Sequence, residues 1–283
     1  MKIRKATVAN AFYAGTRSKL TEQLVECFTS RFGPGQVPKP AEHGPRKILG
    51  IVCPHAGYMY SGAVAANAYA KIASDGLPAA FVILGPNHTG YGSGVSIMTE
   101  GGWETPLGIS SIDSKLAKDI QKSSSIIDID EEAHAYEHSI EVQLPFIQFL
   151  YEDAAKFVPI CMMMQDLKTS HEIAKALVEQ LSGKDILIVA SSDFTHYEPH
   201  DAAVRKDEMA IDAITRLDDV ALNELGESSK VTMCGYGPIT TLISAAKLLG
   251  GVRAELLTHK TSGDVTGDKS AVVGYTSLIF QRD

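Results

Sequence analysis

The 283-residue sequence predicts an α/β protein: one domain with a parallel or mixed central sheet flanked by helices. From Lys47 onward, apolar runs of five or six residues alternate with patterns of helical period, the arrangement that builds such a sheet. No shift in composition and no internal repeat divides the chain, so a single domain spanning 1–283 is the simplest organisation. Three histidines, His55, His88 and His196, each follow the end of an apolar run by a few residues. Ligands in open α/β sheets bind outside the carboxyl ends of the strands, so the fold brings three imidazoles to one edge.

The elements follow in order. A helical stretch lies near Ser18–Phe28, and the prolines and glycines of RFGPGQVPKPAEHGP (31–45) mark an irregular loop. Strand 48–53, helix 61–73, strands 80–84 and 94–98, helices 113–122 and 138–152, and strand 157–162 come next. The series continues with helix 170–182, strand 185–190, helices 201–215, 218–226 and 236–249, and strands 252–259 and 271–280.

Composition excludes several functions. A formal charge of −8, with no basic cluster to offset it, argues against a nucleic-acid surface. The first residues have no apolar stretch of signal-peptide length, and nowhere do about 18 apolar residues run together, so a cytoplasmic protein without a membrane partner is expected. Cys27, Cys53, Cys161 and Cys234 are far apart and form no CxxC pair, which favours free thiols.

Chemistry concentrates in the loops after the strands. PHAGYMYSG (54–62) places His55 in a turn before a small-residue helix, and GPNHTGYGSG (85–94) presents His88. Its glycines precede a strand rather than a helix, which makes a dinucleotide site a poor reading. SSDFTHYEPH (191–200) supplies Ser192, Asp193 and His196, but without a G-x-S-x-G elbow a serine hydrolase is disfavoured. His196 reads as a ligand or general base, and Asp193 as a group that orients an imidazole or binds substrate.

Cys234 stands directly before a helical pattern, where a lowered thiol pKa is expected. With the histidines it makes a credible open site for iron, copper or zinc. A competing signal is His134-x-x-Glu137-His138, the spacing of inverted zinc peptidases. That reading leaves the strand-end histidines unexplained. If a helix instead begins near Glu137, His138 and Glu141 lie one turn apart and point together toward the site. Tyr60 and Trp103 are candidates for the pocket wall.

PHAGYMYSG, LGPNH, Trp103 to Gly108, EHSIEVQLPF, SSDFTH, the Cys-Gly-x-x-Pro-Ile of 234–239 and the final VVGYTSLIF together resemble the Memo family, known in prokaryotes as the B component of the AmmeMemoRadiSam system. The match extends from about Phe12 to Phe280. The resemblance implies a fold like that of class III extradiol dioxygenases, the non-haem iron enzymes that cleave catechol rings. It also implies a metal site of two histidines and a cysteine, falling on His55, His88 and Cys234, with His196 beside it.

Ring-cleaving enzymes carry a glutamate as third ligand where this chain has Cys234, so their two-histidine, one-carboxylate triad is altered. Thr195 and Tyr236-Gly237 also differ from the corresponding animal motifs, SSDFCH and CGRHP. Animal members are described as phosphotyrosine-peptide binders and as metal-dependent redox proteins; no arginine cluster in the site loops supports the first role here. The expected function is a metal-dependent oxidoreductase, with iron as the metal and copper or zinc as alternatives, acting on a small molecule or peptide. Radical-SAM and AmmeCR-type proteins are its implied pathway companions, and a non-catalytic peptide- or protein-binding module in the same cleft is the rival reading.

Overall fold

Runs such as ILGIVC offer no polar alternation, so a strand built from them must be covered on both faces. The computed structural model, which describes residues 2–181 and 183–283, satisfies that requirement. Every residue of Ile48–Cys53, Ala80–Pro86 and Ile186–Ser191 is buried. The elements in chain order are β1 (Ile3–Arg4), α1 (Arg17–Thr29), β2 (Ile48–Cys53), α2 (Tyr58–Asp75), β3 (Ala80–Pro86), β4 (Val95–Ile97), β5 (Gly102–Thr105) and β6 (Gly108–Ile112). They continue with α3 (Ser114–Lys122), β7 (Asp128–Ile129), α4 (Leu144–Tyr151), β8 (Lys156–Met162), α5 (Leu167–Leu181), β9 (Ile186–Ser191) and β10 (His196–Glu198). The series ends with α6 (His200–Thr215), α7 (Asp219–Glu227), α8 (Tyr236–Leu249), β11 (Val252–Thr261), α9 (Ser262–Thr266) and β12 (Val272–Arg282).

One mixed sheet joins strands from both ends of the chain, in the order β1-β5-β6-β8-β3-β9-β2-β12-β10, with β11 on β12, β4 on β8 and β7 on β4. Its centre, β8-β3-β9-β2, is parallel, and β12 closes against β2 in the opposite sense. Helix α2, backed by α1, and helix α8, backed by α5 and α7, pack against this centre. Side chains such as Phe81, Leu84, Phe157 and Val189 are fully enclosed, each contributing about 1.5–3 kcal/mol by burial.

Register decides where the site forms. Cys53 of β2 lies opposite Ser191 of β9, and Leu84 of β3 lies opposite Ala190, so three neighbouring strands end at one level. β2 and β3 flank β9 at about 4.8 Å on each side, and their loops therefore overhang the end of the strand between them.

Two expectations are revised. The helix expected at 138–152 is a short α4 preceded by a 3-10 turn at Glu141–Gln143. Pro145 lacks an N–H and is tolerated in a first turn, so α4 begins at Leu144. The short strands β1, β5, β6, β7 and β10 lie where no strand was expected.

Candidate metal centre

The overhanging loops converge. His55, two residues past β2, and His88, two past β3, bring their rings to a centroid separation of 5.2 Å. Cys234, two residues before α8, places Sγ 3.1 Å from His55 Nε2. One ligand atom from each of His55, His88 and Cys234 lies within 4.8 Å of the others. Glycine makes the approach of Cys234 possible: a Cβ at Gly235 would stand 2.3 Å from the Ser191 carbonyl oxygen.

Hydrogen bonds assign the tautomer of both rings. Ser191 Oγ donates to the Ser139 carbonyl at 2.7 Å and accepts from Gln143 Nε2 at 2.9 Å. Toward His55 Nδ1, also 2.9 Å away, it can only accept. Nδ1 therefore carries the proton, and the bare Nε2 faces Cys234. At His88 the partner is Glu137, whose Oε1 accepts from Nδ1 at 2.9 Å and whose Oε2 accepts from the His88 amide at 2.6 Å. The result is a second imidazole with Nε2 bare, oriented by a carboxylate as metal-ligating histidines usually are. This role of Glu137 is not legible in the sequence, where it stands only in the peptidase spacing. Gly85 enables it, because a Cβ there would stand 2.4 Å from Ser139 Oγ and push the 137–140 loop off the end of β3.

The remaining residues divide. His138 stacks on His88 at 4.5 Å and touches Phe12 at 4.8 Å, and with Tyr60, Asp193 and His196 it lines a cleft of about 480 Å³ over His55 and His88. His196 is half-buried; its Nδ1 donates to the Thr232 carbonyl at 2.7 Å, which again leaves Nε2 bare. Asp193 hydrogen-bonds to no ring among the described residues: its Oδ1 accepts from the amides of His55 and Ala56, and its own N–H points at Cys234 Sγ. It holds two ligand-bearing loops together.

Glu141 and Trp103 lie outside the cleft. Glu141 accepts from Arg4 Nη1, the amides of Thr7 and Val8, and the Tyr13 hydroxyl, so it latches the N-terminal segment rather than the imidazoles. Trp103 is fully buried beside Phe157 with the Arg4 guanidinium 4.0 Å over its ring. The peptidase spacing also fails to assemble. His134 sits in the 3-10 turn Glu132–His134, fully buried against Trp103, while Glu137 bonds His88 and His138 lines the cleft, so the two histidines of the spacing do not meet.

Burial keeps two imidazoles of the cleft, His55 and His138, neutral. Burial, together with the three neighbouring histidines, holds His55 well below its ordinary value, and burial lowers His138 to about 4 despite Glu137. Burial raises Asp193 to about 6 against the amide hydrogen bonds that favour its charge. For Cys234 the expected lowering is reversed: burial and then the Asp193 charge push the thiol up, outweighing the Asp193 N–H. Neutral imidazoles and a thiol that yields its proton on coordination are the protonation states a metal ion requires.

An α/β sheet whose strand ends bring two imidazoles and a thiol together defines a protein with a cleft of candidate metal ligands at its carboxyl edge. Residues 4–279 match the family model described as Memo-like protein. The chain is 47% identical over 281 residues to a MEMO1 family protein of Methanopyrus kandleri, covering 99% of each. It is 48% identical to MEMO1 family proteins of Methanothermobacter thermautotrophicus, over 278 residues, and of Sulfurisphaera tokodaii, over 282, in both cases covering 98% of this chain and 99% of the relative. The chain belongs to the Memo-like family. An uncharacterised Escherichia coli K12 protein of known crystal structure shares the fold at 14% identity, with a TM-score of 0.57 over 82% of this chain and 100% of that one. Among the described residues no helix is long and apolar enough to cross a membrane.

Proposed function

We propose that this chain is a metal-dependent redox protein whose ion is held by His55, His88 and Cys234. The closeness of their ligand atoms carries the reading. His55 Nε2 and Cys234 Sγ, 3.1 Å apart, are close enough for one ion to be held by both. Two imidazoles and a thiolate suit iron, copper or zinc, and iron is the ion that the resemblance to non-haem enzymes favours. Such an ion supplies Lewis acidity and, if iron or copper, one-electron exchange. Around it Glu137 and Ser191 hold the ligand rings, Asp193 ties the His55 and Cys234 loops, and His196 offers a bare Nε2 to take up or release a proton in the cleft. The substrate is a small molecule or peptide in a cytoplasmic setting, where a reduced Cys234 is maintained, and radical-SAM and AmmeCR-type proteins are its pathway companions.

Metal analysis after anaerobic purification tests this. The wild-type chain should carry stoichiometric metal and consume oxygen or reductant, while His55→Ala and Cys234→Ser proteins should lose the metal. Retention of wild-type metal content by both variants would refute the ligand assignment. Stoichiometric metal without turnover would favour a binding module, a reading supported by the exposed Met59 and Tyr197 at the rim of the cleft.

A further inference from the structure

The Tyr275 hydroxyl is a polar group of the cleft that the fold does not use. Five tyrosines are deeply buried: Tyr13, Tyr58, Tyr69, Tyr151 and Tyr275. Four hydroxyls bond within the protein, Tyr13 to Glu141 and Tyr58 to the Val142 carbonyl at 2.6 Å each, Tyr69 to Gln143 at 2.9 Å, and Tyr151 to the Gly76 carbonyl at 3.4 Å. Tyr275 is only 2% exposed, lines the cleft, and has no hydrogen-bond partner for its hydroxyl among the described residues. The ring is enclosed, but the hydroxyl opens into the cleft with its donor unused within the protein, so a ligand bound there can take it.

The position of this phenol is fixed. The Gly274 N–H donates to the Thr195 carbonyl and the Phe194 N–H to the Gly274 carbonyl, both at 2.8 Å, so β12 is tied to the loop that bears His196. Asp193, Tyr60 and Tyr197 are its electrostatic neighbours. Tyr197 is the extra residue of a β-bulge between β10 and β12, with a left-handed φ of 59° and 78% exposure. Bulges and left-handed non-glycine residues cluster at functional sites. Phe12, Tyr60, Tyr197 and Tyr275 thus offer aromatic surface, Asp193 is the carboxylate present, and no lysine or arginine lines the cleft among the described residues. An anionic ligand would meet no cationic side chain there.

We propose that Tyr275 reads the ligand of this cleft, donating a hydrogen bond to a hydroxyl or carbonyl oxygen of an uncharged, ring-bearing small molecule. The assignment rests on the cleft being the substrate site of the proposed metal centre. Its test uses the full-length chain, with p-cresol as neutral probe and phenyl phosphate as anionic probe, both titrated by ligand-observed NMR, and with metal content read on the same samples. p-Cresol should bind the wild type and bind Tyr275→Phe about tenfold more weakly, the loss of one hydrogen bond, while metal content is equal in the two. With metal removed by chelation, phenyl phosphate should bind more weakly than p-cresol, because no cationic side chain is there to hold it. Tyr275→Phe should melt at or above the wild-type temperature, whereas Tyr58→Phe, which loses an internal bond, should melt about 2–4 °C lower. The proposal is overturned if p-cresol ignores the wild type or binds both proteins equally, if phenyl phosphate binds the metal-free chain better, or if Tyr275→Phe loses as much stability as Tyr58→Phe. A wild-type chain that takes up no metal yet distinguishes itself from Tyr275→Phe supports this assignment and refutes the metal reading alone.

Discussion

Glu137→Gln should weaken metal binding about 10- to 100-fold, or about 1.4–2.8 kcal/mol, without unfolding the chain. The magnitude follows from three hydrogen bonds. Glu137 Oε1 accepts from His88 Nδ1 at 2.9 Å and the Ser139 amide at 2.8 Å, and Oε2 accepts from the His88 amide at 2.6 Å. Glutamine has one oxygen to meet three donors. With that oxygen in the place of Oε1, its NH₂ is forced against the His88 amide; with the amide turned over, its NH₂ faces the ring nitrogen, and His88 must rotate or move its proton to Nε2. Either outcome disturbs the bare Nε2 that the ion needs. Competition against a chromophoric chelator under anaerobic conditions reads the affinity, and circular dichroism confirms the fold. In a His88→Ala background the same change should have little further effect, since it acts through the ring. An affinity for Glu137→Gln within about threefold of wild type would refute the tautomer assignment.

Three further outcomes separate the site from its surroundings. His134→Ala should keep wild-type metal content and lose about 1–3 kcal/mol of stability in a urea titration, because the ring is fully buried away from the cleft; loss of metal would revive the peptidase spacing. Trp103→Phe should cost about 1–2 kcal/mol through its indole bond to Met98 and the stacked Arg4, with p-cresol and metal binding unchanged; an effect on either ligand would return Trp103 to the pocket wall. Burial would raise Glu141, but Arg4 and the hydrogen bonds of Tyr13 and Thr7 outweigh it and hold the carboxyl below its ordinary value of 4.5. A lowered carboxyl contributes stability in full above 4.5 and loses it as pH falls through the folded value, so Glu141→Gln should flatten the acid side of the stability profile; an unchanged acid limb would contradict the latch.

The readable parts of this chain are those where one physical requirement dominates. The central strands must be apolar throughout because both faces are covered, so β2, β3, β8 and β9 stand out as runs. The short strands Gly102–Thr105 and Gly108–Ile112, between β1 and β8, mix buried with less buried positions and carry no comparable apolar run. His55, His88 and His196 were legible because strand ends deliver loops to a fixed edge. The two glutamates were not. Helical spacing over 138–152 paired His138 with Glu141, but the backbone there is a loop and a 3-10 turn, so Glu137 faces His88 and Glu141 faces the N-terminal segment. Tyr275 was hidden for a related reason: which face of β12 meets the cleft depends on its register against β10 across a bulge.

Cys234 shows why position along a helix does not settle reactivity. Standing just before α8, the thiol gains from the helix N-terminus a stabilisation of its anion worth about 0.3–1 kcal/mol near a surface. Removing that anion from water costs more, and the Asp193 carboxylate nearby adds repulsion, so the balance falls on the protonated thiol. The same desolvation keeps His55 neutral, which favours coordination, because imidazole binds a cation only through a bare nitrogen. Burial thus acts in opposite directions on the two candidate ligands: it leaves the histidine nitrogen bare and keeps the cysteine protonated. Holding Asp193 against the His55 and Ala56 amides, with its own N–H turned to Cys234 Sγ, gives the thiolate a donor at the moment it forms.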